Sequence, residues 1–269
     1  MSSTPRPYAS HPVRVAVQIE PQHADYDDIR RAIDTAEEIG VDIAFNWDHF
    51  YPLYGEPEGK HFECWTMLAA WAEQTERIEF GPLVTCNSYR NPDLLGDMAR
   101  TVDHISGGRL VLGIGAGWFQ KDYERFGYEF GTAGGRLDRL AADLPRVTSR
   151  LAAGNPAPRR TPPVLIGGGG ETKTLRIVAE HADIWHGFGA PDVIERKHAV
   201  LDDWCAKAGR DPGAIVRSTE VSTVATDSAE AERYYSIGTR LYTVAINGPD
   251  YDFAPVRAWL AWRDAKNGG

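Results

Sequence analysis

The chain is predicted to fold as an α/β protein, a single (β/α)8 TIM barrel, and three observations predict it. Short apolar runs alternate with amphipathic helical stretches eight times along 269 residues. No break in composition and no internal repeat interrupts the alternation. Small or polar residues stand where each strand would run out, which is where a barrel keeps its chemistry. A doubly wound sheet shares this periodicity and stays open as the alternative architecture.

The elements follow in order. Alternating apolar residues make 13–19 the first strand. Asp25 starts a helix in which Tyr26, Ile29, Ile33 and Ala36 share a face, and Gly40 closes it. The second strand, 43–47, ends in Asp48-His49. After a loop rich in Pro, Gly and Tyr, residues 62–74 form a helix with Trp65, Leu68, Ala69 and Ala72 inward, and 78–86 form the third strand. Asn91-Pro92 is a helix start, a capping side chain followed by proline at the first helical position. Leu94, Leu95, Met98, Val102 and Ile105 carry that helix to Gly107. Residues 110–114 are the fourth strand, with 137–151 the main part of the helix behind it. Strands at 163–166, 184–188, 216–225 and 241–246 alternate with helices at 171–181, 191–208, 229–237 and 255–265. Residues 1–12, polar and proline-rich, are expected to be a flexible leader whose loss costs little, with 13–269 the one domain.

Composition narrows the function. Apolar residues at 42% and charged residues at 25% describe an ordinary soluble domain with ample core. A net charge of -9, with no dense basic stretch, argues against nucleic acid as a partner. No apolar run reaches the roughly 18 residues of a membrane span. The three cysteines, Cys64, Cys86 and Cys205, lack CxxC spacing, which argues against a zinc site or disulfide framework and for a reducing cytoplasm. The partner left is a small-molecule substrate, and any anionic ligand must be held by local donors.

The strand ends carry the functional argument. They are Gln18 to Glu20, Asp48-His49, Thr85 to Asn87, Gly115-Ala116-Gly117, Gly167 to Gly170, Trp185-His186-Gly187, Glu220 with Ser222, and Asn247. That mix suits a broad planar ligand across the barrel mouth with a phosphate to one side. Gly113, Gly115 and Gly117, spaced two apart before a helix, let a backbone pass close to such a ligand, or form a tight turn with no ligand. Trp118 stands where GxGxxG needs its third glycine, and no Walker A lysine follows Gly167 to Gly170. That second glycine run is either a phosphate cradle at the fifth helix, helped by Thr172 or Thr174, or a flexible loop. Asp48-His49 suits proton work, the carboxylate positioning the imidazole, or is a helix-capping pair. His49 and His186 lack a convincing third ligand, so a metal is rejected. Trp47, Trp65, Trp118 and Trp185 are mostly core, with one or two free to wall an aromatic cofactor.

The segment Asp103-His-Ile-Ser-Gly-Gly-Arg-Leu-Val-Leu-Gly-Ile-Gly-Ala-Gly-Trp118 resembles the central motif of the bacterial luciferase-like monooxygenase superfamily, and within it the branch using the deazaflavin F420. Trp47-Asp-His-Phe50, Gly81-Pro-Leu-Val-Thr85, Pro163-Val-Leu-Ile-Gly-Gly168 and Ala182-Asp-Ile-Trp185 follow in the expected order. The resemblance implies a barrel holding a flavin or deazaflavin at its C-terminal face. It places Asp48 and His49 near the ring and gives Leu83-Val84-Thr85 a bulge behind it, often with a non-proline cis peptide. It gives the side chain's phosphate to Gly115-Ala116-Gly117 and to Gly168, Gly169, Gly170 and Thr172, with Trp185 beside the cofactor. It also implies dimers formed through barrel helices.

Two departures stand out. The long insertion common before the fifth strand is cut to a short Pro/Arg-rich link over 152–162, leaving the mouth open or covered by the loop 51–60. Trp118 replaces the catalytic carboxylate of the sugar-phosphate dehydrogenases, which argues against glucose-6-phosphate oxidation. The expected function is therefore an F420-dependent oxidoreductase moving a hydride to or from a small organic substrate, with His49 relaying the proton. The alternatives are an FMN-dependent monooxygenase fed by a partner reductase, and a flavin- or deazaflavin-binding protein without turnover.

Overall fold

A computed structural model describes residues 7–221 and 229–268. Its strands are β1 (Arg14–Ile19), β2 (Ile43–Asn46), β3 (Glu79–Pro82), β4 (Thr85–Cys86), β5 (Leu112–Gly115), β6 (Val164–Gly167), β7 (Ile184–Gly187), β8 (Val216–Val221) and β9 (Leu241–Ile246). They pair in parallel in the order β3-β2-β1-β9-β8-β7-β6-β5-β4. The ends of this order are two pieces of one barrel strand. The expected continuous third strand is broken at the Leu83–Val84 peptide, which is cis. A parallel bridge from Phe80 to Leu110 brings β3 alongside the segment leading into β5, so the sheet comes round on itself as a (β/α)8 barrel.

The helices are α1 (Tyr26–Glu38), α2 (Cys64–Gln74), α3 (Pro92–Ile105), α4 (Gln120–Phe126), α5 (Ala133–Ala153), α6 (Thr174–His181), α7 (Pro191–Ala208), α8 (Ala229–Ser236) and α9 (Ala254–Asn267). Asn91 caps α3 as its sequence predicts, accepting from the backbone N–H of Asp93 at 2.9 Å and of Leu94 at 3.3 Å. Three expectations need correction. The turn after β5 leads into two helices, α4 and α5, because Gly127 takes a left-handed φ of 71° and ends the first. The helix after β6 starts at Thr174, not 171. Leu94 and Ile105 face outward from α3. The last part of the strand expected over 216–225, Ser222 included, lies outside the described residues.

Side-chain alternation along the strands creates two cores. Val15, Val17, Trp185 and Val244 point outward to meet Ile29, Leu68, Trp71, Leu144 and Trp259 from the helices. Ala16, Ile43, Phe45, Val111, Leu165, Ile184 and Leu241 fill the barrel interior. That inner plug stops one layer short of the mouth, where Gln18, Gly113, Gly167 and His186 take over.

The leader is not uniformly loose. Pro7–Ser10 forms a 3-10 turn, and Tyr8 is fully buried with Arg217 over its ring at 4.3 Å. Arg240 Nε donates to the Ala9 carbonyl at 3.0 Å, and His11 Nε2 lies 2.8 Å from the Gly213 carbonyl. The physical reason is Arg217, a wholly buried cation whose ion pair with Asp202 leaves one of its faces to an aromatic ring. Residues 1–6 lie outside the described part. Tyr8→Ala is expected to lower the free energy of unfolding by about 3 kcal/mol in urea titrations; a loss below about 0.5 kcal/mol would restore a dispensable leader.

Candidate functional site

The site begins with glycines that give room to the protein's own chain. A Cβ on Gly113 would lie 1.9 Å from the Pro82 carbonyl oxygen, and one on Gly81 would lie 2.0 Å from that of Val111. On Gly115 it would meet Val84 Cγ2 at 2.6 Å, and on Gly117 the Tyr123 hydroxyl at 2.0 Å. The two-residue glycine spacing therefore seats the Pro82–Val84 bulge and the Tyr123 side chain, besides placing Gly115 and Gly117 at the cavity described below. The other half of the motif is structural as well. Arg109 donates to the carbonyls of Ala72, Thr75, Ile78 and Ser106 at 2.7–3.0 Å, tying the end of α2 to the approach to β3.

Two carboxylates organise the polar residues around the bulge, and they divide the work differently from their order in sequence. Asp48, fully buried at the end of β2, takes a two-pronged ion pair from Arg90 at 2.5 and 3.0 Å. It also accepts from the Thr85 hydroxyl at 2.7 Å and the Cys86 backbone N–H at 3.0 Å. Its oxygens are thus committed to holding β4 against β2. The carboxylate that positions His49 is Asp122, on α4, with Oδ2 2.7 Å from His49 Nδ1. Asp122 is fully buried and is itself held by the Tyr89 hydroxyl at 3.0 Å and the Phe50 N–H at 3.2 Å. An accepting carboxylate places the proton on Nδ1 of neutral His49 and leaves Nε2 to act as acceptor. Trp118 and Phe119 meet the imidazole edge-on at 5.8 and 5.4 Å.

A cavity of about 350 Å³ opens beside these groups, toward the small end for ligand sites. Val84 and Leu83 form one wall, the Gly115-Ala116-Gly117 turn another, and Ala133, Arg136 and Leu137 of α5 close it from above. Gly168, Thr174, His186 and Phe188 complete the far side. The loop 51–60 lines no part of it; Tyr54 and Lys121 hold that loop against Glu20 and α4 instead. Arg136 is the cation at the cavity. Its guanidinium donates to the carbonyls of Gly117 and Phe130 at 3.0 and 2.9 Å and stacks on Phe130, and it belongs to no ion pair among the described residues.

Of the residues expected from sequence, Asp48, His49, Val84, Gly115, Ala116, Gly117 and Gly168 line this cavity. Thr85 is buried beneath it, donating to Asp48 and accepting from Trp65 Nε1 at 3.0 Å. Trp185 points away into the outer core and donates to the Gly168 carbonyl at 2.8 Å. Gly169, Gly170 and Thr172 do not line it. Arg90, Asp122 and Arg136 escaped notice. Asp122 sits 73 residues from His49, and its one signal was a carboxylate on the buried face of a short helix, next to the buried Tyr123.

A second acidic feature sits at the mouth. Burial, and next the charge of Glu220, raise the Glu20 carboxyl to about 7, and Glu20 accepts from the Tyr54 hydroxyl. Burial lowers His61 to about 4, where its Nε2 accepts from Trp47 Nε1 at 3.0 Å, and lowers His186 to about 3.

Comparison with known proteins adds a family. The family described as luciferase-like monooxygenase matches residues 8–265. An uncharacterized protein of Mycobacterium bovis is 29% identical over 173 residues, covering 57% of this chain and 58% of its own length. The chain thus spans little more than half of that relative. An F420-dependent glucose-6-phosphate dehydrogenase of Amycolatopsis mediterranei is 36% identical over 85 residues, 30% of this chain and 25% of the relative. Among solved structures, an F420-dependent secondary alcohol dehydrogenase in complex with an F420-acetone adduct aligns with a TM-score of 0.81 and 16% identity, covering 93% of this chain and 97% of the other. The oxygenating constituent of 3,6-diketocamphane monooxygenase from Pseudomonas putida, in complex with FMN, aligns with a TM-score of 0.63 and 16% identity, covering 77% and 67%. At these identities the structural likeness is one of fold.

Gly113→Ala is expected to abolish soluble folded protein, because backbone lies where the methyl must go. Gly134→Ala, whose methyl meets nothing closer than 3.7 Å, is expected to be neutral or stabilising by up to about 1 kcal/mol in urea titrations. Glu20 generates a pH dependence. Between its ordinary 4.5 and about 7 the folded state keeps a proton that the unfolded state releases, so this group's contribution to stability falls as pH rises through that window. Buried His61 and His186 give the opposite slope below their ordinary 6.5, so the informative quantity is a difference. The Tm of Glu20→Gln minus that of the wild type is expected to grow from pH 5 to 7 and then level; a flat difference would contradict the raised carboxyl.

Proposed function

The chain belongs to the luciferase-like monooxygenase family, and on that premise we propose that it is an F420-dependent oxidoreductase transferring a hydride between the deazaflavin and a small organic substrate. The observation that carries this reading is the cavity itself, which places the Val84 bulge, the His49–Asp122 pair and Arg136 around one space. The residues fit a deazaflavin. The bulge offers an apolar surface for a flat ring, and among the described residues Arg136 is a cation without a carboxylate partner and His186 Nε2 a buried polar atom without a protein partner.

When bound, the deazaflavin supplies the hydride chemistry; the protein's residues orient, desolvate and move a proton. Leu83 and Val84 would support the ring from behind. Arg136, Thr174 and Gly168 would hold the phosphate of the side chain, with Gly169, Gly170 and Thr172 continuing outward along the same loop. His49 Nε2 would exchange a proton with the substrate while Asp122 and Tyr89 keep the imidazole in one tautomer and orientation. Asp48 takes no proton in this account and serves by fixing β4 through Arg90. Leu94 and Ile105, exposed on α3 beside α2, are the face that a homodimer would cover.

Fluorescence titration with oxidised F420 and with FMN at equal ionic strength tests the reading. Binding of F420 in preference to FMN is the expected result. FMN preference would move the chemistry to oxygen and a partner reductase, and binding of neither would end the cofactor assignment. With a turnover assay in hand, His49→Ala is expected to lower kcat about 100-fold and Asp122→Asn about tenfold, with F420 affinity within about twofold of the wild type. Unchanged kcat in both would remove the pair from the proton path.

A further inference from the structure

One buried imidazole nitrogen borders the cavity with no protein partner among the described residues. Strand alternation turns Trp185 outward and His186 inward, at the last inward position of β7. His186 is fully buried, its Nδ1 lies 2.9 Å from the Ser218 hydroxyl on β8, and its Nε2 has no hydrogen-bond partner among the described residues. The residue lines the cavity next to Gly167, with the Phe188 ring edge-on at 4.9 Å. A buried, unbonded ring nitrogen carries a desolvation cost, and at the wall of a cavity a polar group of a ligand can offset it. Among the described residues no three His, Cys, Asp or Glu side chains gather to hold a metal ion, so the chemistry fits a polar group on an organic ligand.

We propose that His186, backed by Ser218, is the hydrogen-bonding contact for the imide edge of the bound tricyclic ring. This rests on the cofactor reading above, and it goes beyond the residues that the family resemblance supplied. Burial keeps the imidazole neutral near pH 7, with one donor and one acceptor nitrogen. The Ser218 hydroxyl can donate to Nδ1 or accept from it, and Nε2 then presents the complementary role. The pair can therefore donate to a ring carbonyl or accept from a ring N–H, and an imide edge displays both. Flavin and deazaflavin share that edge, so the contact does not depend on which of the two binds. Ser218 is a positioning residue here: it acts through His186 and does not line the cavity.

The test measures Kd for oxidised F420 and for FMN by fluorescence, together with the absorption spectrum of the bound cofactor, for wild type, His186→Phe, His186→Gln and Ser218→Ala. The expected result is binding about three- to tenfold weaker in His186→Phe, with a displaced absorption maximum. His186→Gln, which keeps a donor and an acceptor, should recover most of the affinity, and Ser218→Ala should lose about twofold. Circular dichroism checks each fold; if His186→Phe does not fold, the other two variants decide. Affinities and spectra indistinguishable from wild type in all folded variants would overturn the proposal and leave a solvent-filled floor, with the cofactor reading intact. Failure of the wild type to bind either cofactor would overturn both.

Discussion

The approach of the Pro82 carbonyl to Gly113, with no space between them for a single methyl group, is the constraint from which the rest of the site follows. Because β5 carries glycine at 113 and 115, the broken barrel strand can lean inward and bring Val84 beside Gly115 and Gly167. That inward lean ends the inner core early and opens a cavity above it. The same break separates β3 from β4, so β4 needs its own anchor. Asp48 provides it by bonding Thr85, Cys86 and Arg90 together.

Committing Asp48 to that anchor has a chemical consequence. A carboxylate whose oxygens take four donors is a poor proton carrier and a good brace. The neighbouring histidine must then find its partner elsewhere, and α4 supplies Asp122 from the turn that the glycine motif begins. Tyr123, next along α4, sits against Gly117 and Cys86, so the helix that delivers the carboxylate is seated by the third of the spaced glycines. Structural packing and proton chemistry meet in one short segment, which is why a motif from Gly113 to Tyr123 serves both.

Much of this was legible from the chain, and for physical reasons. Helix capping at Asn91-Pro92, the strand alternation and the inward position of residues at strand ends are local, and local rules read them. The barrel mouth was marked by the small and polar residues at the strand ends, whereas the bulge at Leu83–Val84 came from resemblance, not from periodicity. What escaped was non-local or chemical in detail. Nothing near Asp48-His49 says that the two residues take different partners, since Arg90 and Asp122 reach them from distant elements. The spaced glycines could be read as room for a ligand or as a tight turn, and nothing local says that Pro82, Val84 and the Tyr123 hydroxyl come from other segments to lie against them. Tyr8 in a polar leader gave no sign of the buried Arg217 beneath it.

A crystal structure of the protein soaked with oxidised F420 tests the central claim most directly, that the Val84 bulge and its glycines build the surface on which the cofactor's ring rests. The account predicts the ring against Leu83 and Val84, within reach of His49 on one side and His186 on the other, with the phosphate at Arg136. A ring bound elsewhere on the barrel, or a cavity left without cofactor at saturating F420, would contradict it.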